Sequence, residues 1–188
     1  GSNSFHMLVA RASHNEIKPI EAFAERVQLA LEMKKNCLSL EAIARGLSCL
    51  SQFRQALDTL QPDMVRIVGT NALRVAKNAG EFIHPAEILL GHPVEIISGR
   101  EEARLVYLGV AHTLADDDSS RLVIDIGGGS TEFVIGQRFE PKLRESLHMG
   151  CISYSNRFFP GGKITKKYFE KAYQMAYQEV LNIRKSYK

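Results

Sequence analysis

Two short segments, far apart in the chain, repeat one another. Laid over each other, GSNSFHMLV at residues 1–9 and GGGSTEFVI at residues 127–135 share a glycine, a serine three residues on, and three terminal apolar residues. Each is a turn of small residues that feeds a strand, and a further strand leads into the second copy, ending at Asp125. A tight turn of this kind aims successive backbone N–H groups at one point, forming a nest for phosphate oxygens, while glycine keeps a side chain from blocking the approach. Ser4 and Ser130 add hydroxyl donors. An ordinary hairpin turn explains either copy alone. The pair points further: two such turns on separate domains, facing across a cleft, suit a chain of phosphates and a divalent ion. A Gly-Ser start is also what a cloning remnant leaves, but the agreement through Val9 argues against that origin.

Along the chain, residues 5–11 (FHMLVAR) and 17–23 carry β-forming residues and read as a hairpin joined at His14-Asn15. Leu40, Ile43, Leu47, Leu50, Leu57 and Leu60 recur at helical spacing behind Ser39, a candidate N-cap. Residues 64–69 (MVRIVG) read as a strand, 71–78 as a helix, and His84-Pro85 as part of a loop-bounded segment. Residues 94–98 (VEIIS) read as a strand and 100–113 as a helix. Alternating strands and helices favour an α/β sheet. The polar stretch 115–120 is the expected boundary, giving domains 1–116 and 117–188. Beyond it, residues 122–126 (LVIDI) read as a strand buried on both faces. Strands at 131–135 and 142–148, a Pro160-Gly161-Gly162 loop, and a helix over 165–187 with Phe169, Ala172, Ala176, Val180 and Ile183 on one face complete the pattern. A second domain of so few strands has a marginal core, so it reads as incomplete.

Composition narrows the function classes. With 188 residues, 45% hydrophobic and 24% charged, the chain is an ordinary globular one, and no apolar run approaches the ~18 residues of a membrane span. A cytoplasmic protein is expected, with peripheral association at a membrane left open. Cys37, Cys49 and Cys151 match neither a zinc ligand set nor a redox pair and read as free thiols. A net charge of +3 is too small to argue nucleic-acid binding, so an anionic ligand must be met by a local site. Six histidines show no metal-ligand spacing, and Lys163, Lys166, Lys167 and Lys171 suit a solvated helix face.

The segments GSNSFHM, GTNALR, EIISGREEARLVYLGV and VIDIGGGSTEFVIG resemble, in order, the motifs of the Ppx/GppA phosphatase family of exopolyphosphatases and guanosine pentaphosphate phosphohydrolases. The resemblance runs from residue 1 to about residue 164. It implies an actin-like (ribonuclease H-like) α/β domain, with a mixed sheet flanked by helices, followed by the start of a second similar domain. The family's first turn follows an Asp two residues before the glycine, so the sequence reads as truncated at both ends. A homodimer is implied for the full-length protein.

Site residues follow from position and resemblance together. Glu101 and Glu102 open a helix after a strand; an acidic pair there is favoured by the helix dipole alone, and the resemblance makes Glu102 the general base, with Glu101 in support. Asp125 suits Mg²⁺ or another divalent cation, since Mg²⁺ takes one or two carboxylates beside waters and phosphates; capping the turn is the alternative. Glu132 shares a face with Ser130 and, by resemblance, lines the site and shares in water activation, though a solvent-facing strand position would also carry it. Arg74 matches an arginine of the family's phosphate site, where a guanidinium grips oxygens in a fork; an exposed salt-bridging arginine is the alternative. Ser2, Asn3 and Ser4 of the first turn and Gly127, Gly128, Gly129 and Ser130 of the second are the remaining phosphate-binding candidates. The implied activity is hydrolysis of terminal phosphate from inorganic polyphosphate, with guanosine pentaphosphate hydrolysis as the sister activity. DIGGGSTE and RFFPGG resemble the first branch, NAGEF and GVAHT the second. An actin-like or sugar-kinase phosphotransferase and a non-catalytic polyanion-binding fragment are the readings from other classes.

Overall fold

The computed structural model describes residues 1–13, 16–115 and 118–187. The elements run β1 (Phe5–Ser13), β2 (Glu16–Glu25), α1 (Leu40–Leu60), β3 (Ile67–Gly69), α2 (Asn71–Val75), α3 (Gly80–Leu90), β4 (Val94–Ile96), α4 (Gly99–Thr113), β5 (Ser120–Ile126), β6 (Thr131–Gln137), β7 (Glu140–Leu147), α5 (Cys151–Phe158) and α6 (Lys166–Ile183). They form two compact units, Gly1–Ile96 and Ile97–Lys188. The expected boundary falls partly on residues 116 and 117, outside those described; the division lies instead ahead of α4, because that helix packs on β6 and β7. Cys37, Cys49 and Cys151 are free thiols. No helix among the described residues is long and apolar enough to cross a membrane.

In the first unit β1 and β2 pair antiparallel, while β3 and β4 pair parallel. The expected turn between β1 and β2, His14-Asn15, lies outside the described residues. Helix α1 begins where Ser39 Oγ accepts the Ala42 N–H at 3.1 Å, and it buries Ile43, Leu50 and Phe53. Gly46 lets α3 approach: a Cβ there would lie 2.7 Å from the Phe82 ring, which in turn meets Phe5 edge-on at 5.9 Å. The segment around His84-Pro85 is not loop-bounded but inside α3. Pro85, the sixth of the eleven residues of α3, removes one backbone hydrogen bond inside the helix. Burial of Phe82, Ala86 and Leu90, spaced i, i+4 and i+8 on the face toward α1, outweighs that loss.

The second unit is built on an antiparallel sheet in the order β5-β6-β7. Ala103, Tyr107 and Ala111 of α4 are buried with Val134 and are packed by Val123, so the helix lies on the sheet face that carries these valines. Gly136 admits it, since a Cβ there would lie 2.3 Å from the Tyr107 ring. Strand β5 departs from the expectation of burial on both faces: Leu122, Ile124 and Ile126 are 55%, 49% and 69% exposed. The sheet is antiparallel with a helix on one face, and the second face is left uncovered at its edge strand. Of the expected face of α6, Ala172 and Ile183 are buried and Phe169 is exposed.

Candidate functional site

Three carboxylates gather on the α4 side of the second sheet. Strand register places Asp125 opposite Glu132, and Glu132 opposite Ser146, so the three form a row across β5, β6 and β7 on one face. Val123 and Val134 stand two residues away on the same face, beneath α4. That seat delivers the first turn of α4, which Ser98 caps by accepting the Glu101 N–H at 3.1 Å. Glu101 is engaged by Arg104 at 2.8 Å through two hydrogen bonds. Glu102, half-buried, raises the Glu132 pKa through its charge.

Glu132 is the most constrained member. Its residue is 1% exposed, and the Ser146 hydroxyl donates to its Oε1 at 2.8 Å. Burial pushes its carboxyl above the ordinary glutamate range; hydrogen bonds from Ser130 and Ser146 oppose that rise, and the charges of Glu102 and Asp125 add to it. A solvent-facing position is thereby excluded for Glu132.

The glycine turn beside this row is held from behind. Cys151 and Ile152 at the start of α5 donate their N–H groups to the Gly127 and Gly128 carbonyls, each at 2.9 Å, and Ser153 donates to Gly128 at 3.1 Å. The Ser153 hydroxyl reaches the Gly129 carbonyl at 3.4 Å, and Thr131 Oγ1 donates to the Met149 carbonyl. In a trans peptide the N–H points opposite to the preceding C=O. Carbonyls 127, 128 and 129 directed at α5 therefore turn the N–H groups of residues 128, 129 and 130 the other way. None of these three has a protein acceptor among the described residues. The result is an anion-binding nest beside a carboxylate row. Gly150 makes it possible, because a Cβ there would lie 2.4 Å from backbone atoms of Gly128 and Gly129.

The first turn is built on the same plan within its own unit. The N–H groups of Gln28 and Ala30 donate to the Asn3 and Ser2 carbonyls at 2.7 and 3.0 Å, turning the N–H groups of Asn3 and Ser4 outward. The repeat seen in sequence is also geometric: a Cβ on Gly1 would lie 3.2 Å from the Ser4 carbonyl, and one on Gly127 3.1 Å from that of Ser130. Ser2 is buried, and the Asn3 amide donates to Ser4 Oγ at 3.3 Å. The same Cβ on Gly1 would come within 4.0 Å of Thr70 Oγ1, which puts the turn beside the start of α2. Arg74, half-buried, stands in the last turn of that short helix.

Sequence reasoning missed four participants. Asn71 is buried, and its Nδ2 has no hydrogen-bond partner among the described residues; the Asn3 Oδ1 acceptor is in the same position. Ser146 reaches the site through the register of β7, which no local pattern reveals. Gly150 and Ser153 carry a legible signal, a small residue three places ahead of a serine at a helix start, with the Gly150 N–H donating to Ser153 Oγ at 3.2 Å.

Comparison with known proteins agrees with this architecture. Residues 8–188 match the Ppx/GppA phosphatase family. The chain is 44% identical to a guanosine-5'-triphosphate,3'-diphosphate pyrophosphatase of Vibrio vulnificus, over 100% of its own length and 38% of that protein's. It is 31% identical to an exopolyphosphatase of Cytophaga hutchinsonii with a TM-score of 0.81, covering 85% of this chain and 51% of that one. A Ppx/GppA enzyme of Aquifex aeolicus superposes with a TM-score of 0.76 at 27% identity, covering 97% and 61%. The chain thus spans less than two thirds of the length of these relatives. With residues 8–188 matched and the two glycine turns built alike, the chain belongs to the Ppx/GppA phosphatase family and has its actin-like α/β fold.

Proposed function

We propose that the protein hydrolyses the terminal phosphoanhydride of inorganic polyphosphate. The observation that carries this reading is the nest of N–H groups at residues 128–130 beside the row of Asp125 and Glu132, with Glu102 near enough to raise the Glu132 pKa. In the proposed reaction Glu102 takes a proton from water, whose oxygen bonds to the terminal phosphorus as the bridging P–O bond breaks. The products are phosphate and a chain shorter by one unit. Glu132 shares in this step as the buried carboxylate that Ser146 holds in place. The nest and Ser130 receive phosphoryl oxygens, stabilising charge where it develops. Ser2, Asn3, Ser4 and Arg74 bind phosphate oxygens in the first unit, where the buried Asn71 amide is a donor that such an oxygen would satisfy.

A divalent cation fits the donor set at Asp125. Among the described residues no cluster of three or more His, Cys, Asp or Glu is poised to enclose a metal. An all-protein cage is not what Mg²⁺ requires, since it keeps waters and phosphate oxygens around one or two carboxylates. When bound, Mg²⁺ neutralises phosphate charge. Asp125 holds it, and the neighbouring Glu132 and Glu102 give the row the negative potential that attracts a cation.

A second reading, hydrolysis of guanosine pentaphosphate to the tetraphosphate, is favoured by the 44% identity to the Vibrio protein. Phosphate release measured in parallel on polyphosphate, guanosine pentaphosphate and ATP separates the readings. Release from polyphosphate supports the first and release from the pentaphosphate alone the second. Tested on the full-length protein, since the isolated chain is expected to have little or no activity, release from ATP alone or from none overturns both.

A further inference from the structure

The loop that clamps the first glycine turn goes on to present two lysines. After Gln28 and Ala30, whose N–H groups hold Asn3 and Ser2, Leu31 donates to the Gln28 carbonyl at 3.1 Å and Met33 to that of Ala30 at 3.4 Å. Lys34 and Cys37 then close a two-residue hairpin through reciprocal backbone hydrogen bonds of 3.2 and 2.9 Å. Its central residues, Lys35 and Asn36, stand at φ 51° and 61°. Such a turn requires left-handed backbone, which Gly, Asn and Asp supply at least cost. Asparagine meets that demand, whereas lysine adopts this backbone only under strain. The turn is pinned from the end of α2. The Asn36 carbonyl accepts the Lys77 N–H at 2.8 Å, and the Asn78 side chain takes the Leu38 N–H and carbonyl at 2.8 and 3.1 Å.

This seam gathers uncompensated positive charge. Lys34, Lys35 and Lys77 are exposed, and none makes an ion pair among the described residues. Of the acids in these segments, Glu32 accepts from the Ser39 hydroxyl at 3.1 Å and Glu81 from the Asn78 amide at 3.0 Å. Arg74 precedes Lys77 by three residues, which at ~3.6 Å per residue keeps their backbones within about 11 Å. We propose that Lys34, Lys35 and Lys77 form a distal subsite that holds the anionic chain beyond its terminal phosphates, continuing from the first glycine turn and Arg74. The inference rests on the polyphosphate reading. Each unit of that chain carries negative charge, so the part that extends past the two glycine turns is matched by cations fixed next to them. Pinning the lysine turn at both Asn36 and Leu38 holds those cations in place before the chain arrives, which lowers the cost of ordering them on binding.

The test compares binding of a long linear polyphosphate and of tripolyphosphate to the full-length protein by titration calorimetry. One variant combines Lys34→Gln, Lys35→Asn and Lys77→Gln; asparagine suits the left-handed backbone at residue 35, so the charge is removed and the turn is kept. The control combines Lys163→Gln, Lys166→Gln and Lys167→Gln, the same change in net charge in the second unit. At low salt the first variant should raise Kd for the long chain about tenfold, as lost phosphate contacts do, and the difference should shrink toward ~1 M salt, where charges are screened within about 3 Å. Tripolyphosphate, confined to the glycine turns, should bind as in wild type, and the control should change neither Kd. An unchanged Kd for the long chain, an equal rise for tripolyphosphate, or the same rise in the control overturns the proposal. Because binding is read and not turnover, a protein that binds the long chain through these lysines but releases phosphate only from guanosine pentaphosphate sinks the polyphosphate reading and upholds the subsite.

Discussion

Replacing Gly150 by alanine tests whether the second glycine turn depends on the close approach of α5. The added Cβ would lie 2.4 Å from the Gly128 carbonyl carbon, its oxygen and the Gly129 nitrogen. Non-bonded carbon contacts are optimal near 3.5 Å, so either the turn or the helix must retreat by about 1 Å. All three clashing atoms are backbone, which leaves no rotamer as an escape. The same movement stretches the bonds from Cys151, Ile152 and Ser153 to carbonyls 127 and 128. At about 1 kcal/mol for each bond weakened, with overpacking in the same direction, the expected loss is about 3 kcal/mol. That is a large share of the ~5–15 kcal/mol that holds a domain folded. Urea unfolding measures it, with Gly109→Ala as the control: Gly109 is exposed in α4 with nothing within 4 Å of its added Cβ, so alanine there should stabilise by about 0.8 kcal/mol. Phosphate release by Gly150→Ala should fall on the order of 10²-fold, because the nest is displaced by about 1 Å. A Gly150→Ala protein within about 0.5 kcal/mol of wild type refutes the reasoning.

Three further substitutions address the carboxylates. Glu102→Gln should lower kcat on the order of 10²-fold while leaving polyphosphate binding nearly intact, and turnover close to wild type would sink its role as base. Asp125→Asn should raise the Mg²⁺ concentration needed for half-maximal activity by removing one ligand charge; an unchanged Mg²⁺ profile would leave Asp125 as a turn cap. Glu132 has its carboxyl raised by burial, so the folded chain keeps that proton where the unfolded chain has lost it. Its contribution is full below the ordinary glutamate pKa and disappears as pH rises through the raised value. Urea unfolding over a pH series should therefore show wild type losing stability in that window relative to Glu132→Gln, and parallel profiles would contradict the burial of an ionisable group there.

The secondary structure was largely legible because its signals are local. Ser39 before a helical apolar pattern marks the start of α1, and the acidic pair Glu101-Glu102 falls, as read, in the first turn of α4. The paired Gly-x-x-Ser turns were visible as a repeat, and the structure builds both from carbonyls clamped by donors behind them. Pro85 was misjudged because a local breaker was weighed without the apolar stripe that seats α3. The apolar run of β5 says nothing about which face a neighbour covers, and α4 covers only the face carrying Val123.

For the carboxylate row, sequence alone named Glu102, Asp125 and Glu132 as residues of interest, but not their arrangement. Alternation along β6 places Glu132 on a face; it does not say whether that face is wet. Register across three strands and the packing of Tyr107 against Gly136 decide that, by bringing together residues 7 to 30 positions apart in the chain. Such contacts are absent from any local window. The buried carboxylate, its Ser146 donor and the outward-turned N–H groups therefore exist only once the sheet, α4 and α5 have packed, because burial and hydrogen-bond direction are properties of neighbours in space and not in sequence.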